Sequence, residues 1–359
     1  MKSRKLLCAV FIVFVLSLTS CVRKNSSDGK IKMCVLVRSM GTPFMRELVA
    51  HLRTYAEESD VELAVYDGND DVAIQTDQLK TQLTYGTKYF IILPVTSGCT
   101  EQLSRILYSK GGYAVFTNQA PTIEALKLSN HFFVSMSLEL SAGDFQADIL
   151  DEYFKKYPER APGKIVKILY FDGQYGHKAQ ENRRIGFMDG MAKRGYTVDV
   201  LAEDSANWSD VQAREMMFRW FNQYSGVFNA VVSENDAMAL GAIDALLKRN
   251  YTDDPDNPSK DVDGDGTVLK IPVIGVDCTE EAKVSMQAHQ LYATVLQDSA
   301  GQAGIAFELM YECAKNGTAE GYITKAGITG AKEISKEYPL TDASILSQCY
   351  IVPFKPVTE

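Results

Sequence analysis

The feature that most restricts this chain is an alternation, from residue 31 onward, of short apolar segments with longer stretches of helical periodicity. "KMCVLV" is followed by a helical pattern over 43–56, "VELAVY" by one over 72–83, and "YFIILPV" by one over 100–109; "YAVFTN" and "FFVSM" come next. The scheme then restarts. After a helix over 141–156 and the turn "YPERAPGK", the segments "IVKILYF", "TVDVLA", "FNAVVS", "IPVIGVD" and "LYATVLQD" alternate with helices near 180–194, 210–223, 237–248 and 280–288. A strand that is apolar at nearly every position must be covered on both faces, which parallel sheets flanked by helices achieve. Two such runs predict an α/β protein made of two doubly wound, Rossmann-like lobes. A helix over 299–315 and a strand near "CYIVPF" complete the chain.

The first residues follow different rules. Lys2, Arg4 and Lys5 precede an apolar run over 6–18 that is too short to span a bilayer comfortably, and it ends in "LTSC". A positive start, a short apolar middle and small residues before a cut describe a signal peptide over 1–20. "LTSC" resembles the bacterial lipobox, which makes Cys21 the expected lipid-carrying N-terminus and anchors the chain to a membrane. Residues 21–30, "CVRKNSSDGK", are polar enough to serve as a flexible tether.

Removing residues 1–20 takes three positive charges from a formal net charge of −9, leaving −12. That balance, without a basic cluster, argues against nucleic acid as a partner. Of seven cysteines, Cys34, Cys99, Cys278, Cys313 and Cys349 remain in the body. Without CxxC spacing they make neither a zinc site nor a disulfide framework, and they read as small buried residues, with one disulfide still open.

In parallel α/β sheets, ligands bind beyond the carboxyl ends of the strands. Thr42 and Phe44 follow the first strand, and Asn118 follows "YAVFT". His177 and Arg183 follow "IVKILYF", in "DGQYGHKAQENRR"; Trp208 lies beyond "TVDVLA", Asn235 beyond "FNAVVS", Asp277 ends "IPVIGV" and Gln297 ends "LYATVL". Planar polar groups with two aromatics suit a neutral polyhydroxylated ligand: hydroxyls pair with amide, carboxylate and guanidinium groups, and C–H faces lie on rings. Each residue also has a structural alternative. Asn235 and Asp277 directly precede helices and could act as N-caps, His177 could cap a helix, and Trp208 could be a packing residue.

The stretches "GHKAQENR", "NWSDVQARE", "ENDAMALGAIDAL", "IPVIGVD" and "ATVLQDSAGQA", in this order, resemble the bacterial galactose/glucose-binding proteins, the type I periplasmic binding proteins that serve sugar ABC transporters. The resemblance covers nearly everything from 31 to 359. It implies that Phe44 and Trp208 hold the faces of a sugar ring, galactose or glucose, while Asn118, His177, Arg183, Asn235, Asp277 and Gln297 bond its hydroxyls. Three positions depart from the family: Thr42 and Ala179 stand where it usually has aspartates, and Gln297 where it has an asparagine. The resemblance further implies a three-crossover hinge near 135–139, 296–299 and 324–332. One lobe then comprises 31–137 with 298–331 and the other 138–297 with 332–359. Its closed form docks on an ABC transporter permease, and a chemoreceptor is a further candidate partner.

The loop over 250–270 carries "DVDGDG", with Asp261, Asp263 and Asp265 spaced as at the start of an EF-hand loop and Thr267 able to offer its carbonyl. Calcium is the cofactor expectation there, and no organic cofactor is implied. Pro272 stands where the terminal glutamate would be, and a solvated acidic turn is the alternative. Two rival functions remain at this stage: a receptor of the same fold for a nucleoside or signalling sugar derivative, and an envelope carbohydrate-active enzyme using His177, Asp172 and Asp277. The chain shows no GxSxG elbow or HExxH pair.

Overall fold

The computed structural model describes residues 29–251, 269–319, 337 and 343–358. Cys21 and the acidic residues Asp261, Asp263 and Asp265, with Thr267, lie outside the described residues. The first run of elements is β1 (Lys32–Val37), α1 (Pro43–Glu58), β2 (Glu62–Asp67), α2 (Val72–Thr84), β3 (Tyr89–Ile92), α3 (Thr100–Ser109), β4 (Tyr113–Thr117), α4 (Ile123–Lys127) and β5 (Phe132–Met136). The second is α5 (Glu139–Lys156), β6 (Ile165–Asp172), α6 (Lys178–Lys193), β7 (Thr197–Ser205), α7 (Asp210–Tyr224), β8 (Ala230–Ser233), α8 (Asp236–Lys248), β9 (Val273–Ile274), α9 (Glu280–Gln287) and β10 (Thr294–Leu296). α10 (Ser299–Asn316), β11 (Cys349–Ile351) and β12 (Lys355–Val357) follow.

Two parallel sheets result. The first has the order β11-β5-β4-β3-β1-β2 and the second β7-β6-β8-β9. Parallel bridges from Ile274 to Ala293 and from Asp277 to Leu296 set β10 beside β9. In each lobe the opening strand, β1 or β6, lies between its two successors, so the chain leaves it in opposite directions and a crevice opens at the strand ends. Each lobe has its own apolar core. Residues of β1, β3, α1 and α10 form one first-lobe cluster and those of β3, β4, α3 and β11 another, while the second lobe holds two clusters around β6 and β8.

The chain end departs from expectation. "CYIVPF" predicts one strand, and 332–359 is expected in the second lobe; instead β11 pairs with β5 in the first sheet and β12 pairs antiparallel with β10. Pro353 separates them, having no N–H to donate to a ladder. The chain therefore crosses between lobes at 352–354, in addition to the passages from β5 to α5 and from β10 to α10. The crossover expected at 324–332 lies outside the described residues. All five body cysteines are buried and free, so no disulfide forms among them.

Close approach of α5 to α6 matters for the site. A Cβ on Gly143 would lie 2.0 Å from the Arg183 carbonyl oxygen, and one on Gly186 2.1 Å from that of Leu140. Only glycine permits this spacing, and it brings Glu139 on α5 against Arg183 on α6.

Candidate functional site

A cleft of about 610 Å³ runs between the strand ends of the two lobes, and all eight residues singled out in the sequence border it. The first lobe supplies Phe44 and Asn118; the second supplies His177, Arg183, Trp208, Asn235, Asp277 and Gln297. Thr42 and Ala179 border it too. Thr42 caps α1, its hydroxyl oxygen accepting from Met45 N at 3.4 Å, which also fixes the start of the helix that carries Phe44.

Arg183 is the electrostatic centre. Its Nε donates to Glu139 Oε2 at 2.7 Å, Nη1 to the Glu234 carbonyl at 2.5 Å and Nη2 to Gln297 Oε1 at 3.0 Å, with Asp277 Oδ1 4.0 Å away. Burial of a guanidinium is tolerable only with such partners. Burial pushes the Asp277 carboxyl well above the usual range, against the pull of Arg183. Orienting Gln297 through its oxygen leaves its Nε2 buried without a hydrogen-bond partner, a donor held ready at the cleft.

His177 caps α6: its Nδ1 accepts from Ala179 N at 3.2 Å, so the ring proton sits on Nε2. Burial, then the charges of Arg38 and Arg183, lower its pKa to about 3. The ring is therefore neutral at physiological pH and offers one donor. Trp208, at φ 63°, packs edge-on against His177 with ring centroids 5.6 Å apart and lies 5.7 Å from the Arg183 guanidinium carbon. Gly173 makes room for it, since a Cβ there would stand 1.9 Å from the indole. Trp208 thus both packs and presents itself to the cleft.

The structural alternatives divide. Asn235 is an N-cap, its Oδ1 accepting from Met238 N at 3.0 Å, while its Nδ2 lies 3.5 Å from the Trp208 carbonyl. Asp277 is not: Thr279 caps α9, and Asp277 stands at φ 120° with its carboxylate bordering the cleft. Asn118 occupies the left-handed region at φ 67°, which asparagine tolerates, and its side chain makes no hydrogen bond among the described residues.

Sequence reasoning missed Arg38, Asp70, Gln174 and Glu139. Arg38 is the first residue beyond β1, so the strand-end rule covers it; it is buried and borders the cleft. Gln174 is visible in "DGQYGHK". Glu139 carries no local signal, because its partner Arg183 is far away in sequence. Beneath the site lie further acids: Asp172, raised by burial to about 6, Glu234, raised well above its usual range, and Asp236, raised to about 7. Glu234 ties the strand ends together by accepting from Gly173 N at 2.7 Å and from the Tyr170 hydroxyl at 3.2 Å.

Comparison with known proteins agrees with this architecture. The profile of the periplasmic binding protein domain matches residues 33–318. The chain is 26% identical over 296 residues to a xylitol-binding protein of Mycolicibacterium smegmatis, covering 81% of this chain and 75% of that protein. It is 24% identical over 313 residues to the D-galactose/methyl-galactoside binding periplasmic protein of Haemophilus influenzae, covering 86% and 88%. A solute-binding protein of Bacillus halodurans, crystallised with myo-inositol, superimposes with a TM-score of 0.68 at 20% identity, covering 92% of this chain and 95% of that one. Each of these relatives is named for binding a solute and none for a reaction, which favours binding over the reading of His177, Asp172 and Asp277 as acid/base catalysts. With its fold, its cleft and its profile in agreement, this chain belongs to the periplasmic binding protein family.

Proposed function

We propose that this protein captures a neutral monosaccharide or cyclic polyol between its lobes and delivers it to an ABC transporter permease. D-galactose and D-glucose are the first candidates. The observation that carries the reading is a set of polar atoms left without protein partners around one gap: the Asn118 amide and Gln297 Nε2, joined by the Nε2–H donor of His177 and the carboxyl group of Asp277. Phe44 and Trp208 supply apolar rings to the same gap. A sugar satisfies both kinds of group at once, because its hydroxyls donate and accept while its C–H faces stack. Relatives that bind xylitol and galactose belong to the same ligand class.

The mechanism follows from the split of contacts. A ligand held by groups on both lobes favours the closed state by its differential affinity for it, and hinge bending at the crossovers does the rest. "LTSC" supports a lipid on Cys21 holding the protein at the outer face of a membrane beside its permease. Thr42 and Ala179 bring no carboxylate to the gap, which weakens selection for any one hydroxyl pattern and favours tolerance among related polyols.

Calorimetry of the body lacking residues 1–21, against D-galactose, D-glucose, D-ribose, xylitol, myo-inositol and a nucleoside, tests the proposal. Stoichiometric binding of a sugar or polyol, recovered unaltered, is the expected result. Binding of the nucleoside alone would replace the ligand class and keep the fold.

A further inference from the structure

The lobes have separate apolar cores, and no core cluster of the described residues spans the cleft. Closure is therefore not held by hydrophobic burial, and the polar bonds that cross from lobe to lobe acquire weight. Two stand out. Arg38, just beyond β1, donates through Nη2 to Gln174 Oε1 in the β6–α6 turn at 2.6 Å. Glu47, on α1, accepts from the Glu280 backbone N–H at the start of α9 at 3.2 Å.

Arg38 is built for such a role. Its Nε is fixed by Asp70 Oδ1 of its own lobe at 2.8 Å, so the guanidinium is aimed before it meets Gln174. The fork geometry lets one side chain hold a partner in each lobe, which an ammonium cannot reproduce. Arg38 also borders the cleft in company with His177, so it lies where closure is completed.

We propose that Arg38 is a positioning residue that latches the lobes through Gln174, with Asp70 orienting it and the Glu47–Glu280 bond as a second point of closure. The latch sets how readily the cleft closes, and hence how slowly a captured ligand leaves, without choosing the ligand. It deepens the solute-capture reading and rests on it for the kinetic part alone.

The test uses the full-length chain purified in detergent, as wild type, Arg38→Met, Gln174→Met, the double variant and Arg38→Lys. Gln174 lies partly exposed in a turn, so its variant spares the fold. Without any sugar, hydrogen exchange in peptides covering 173–177 and 279–283 should rise in each single variant and no further in the double. With D-galactose as probe, each single variant should weaken binding about tenfold, chiefly through faster release in stopped-flow Trp fluorescence, and the double should match the singles. Arg38→Lys should behave as Arg38→Met. Additive effects, or unchanged exchange in Gln174→Met, would overturn the latch and leave Arg38 acting within its own lobe or on the ligand. If wild type binds no sugar of the calorimetric panel, the ligand reading fails while the exchange arm still decides the latch.

Discussion

Arg183 in the second lobe touches Glu139, the Glu234 carbonyl, Gln297 and the rings of Trp208 and Phe354, whereas Asn118 in the first lobe presents a side chain that bonds to nothing described. The contrast extends to their surroundings. Second-lobe site residues are cross-linked by caps, buried acids and glycine-permitted contacts; first-lobe ones stand at helix and strand ends with few ties, Arg38 with Asp70 being the main one. One wall of the cleft is thus a preorganised receptor and the other a cover that completes it. Preorganisation reduces the ordering cost of binding, so the second lobe should make the first encounter and the first lobe should secure retention.

Substitutions can break or sharpen that contrast. The largest effect belongs to Arg183→Met, which strands the buried carboxyls of Glu139 and Asp277: about 3–5 kcal/mol of stability should be lost in denaturant titration, with binding abolished. Next comes Gly143→Ala, which forces α5 from α6 and should cost about 1–3 kcal/mol while weakening binding through the displaced Arg183; a fully stable variant would show that the helices can slide apart freely. Asn118→Gly, which keeps the positive φ accessible, should leave the melting temperature unchanged and weaken sugar binding about tenfold by calorimetry. A change in stability there would mean that the first lobe is wired as tightly as the second.

The smallest expected effect is a pH slope. Asp172 and Asp236 have folded-state pKa values raised by burial to about 6 and about 7, so their contribution is complete below the ordinary carboxylate range and is lost as pH rises through those values. His177 works in the opposite sense: lowered to about 3, it contributes fully above the ordinary histidine value and loses that as pH falls. The carboxyls dominate, so melting temperature should fall between about pH 5 and about pH 8, and Asp236→Asn should flatten the slope. A slope unchanged in that variant would remove Asp236 as its source.

Much of this was legible in the sequence because period and position report it. Apolar strand runs gave two parallel sheets, and the rule that ligands meet strand ends found Phe44, Asn118, Trp208 and Asp277, all bordering one cleft. What escaped was non-local. The Glu139–Arg183 pair depends on two glycines from different helices, and the cross-lobe bond from Arg38 to Gln174 joins residues far apart in the chain. The final segment misled because its composition is strand-like on both sides of Pro353, and only the proline hints that the halves serve different sheets.

A crystal structure of the body grown with the sugar that calorimetry selects would be the most direct measurement. It should hold the ring between Phe44 and Trp208, bonded by Asn118 from one lobe and by Asp277 and Gln297 from the other. A ligand bound outside this cleft, or held by one lobe alone with the cleft open, would contradict capture between a prepared wall and its cover.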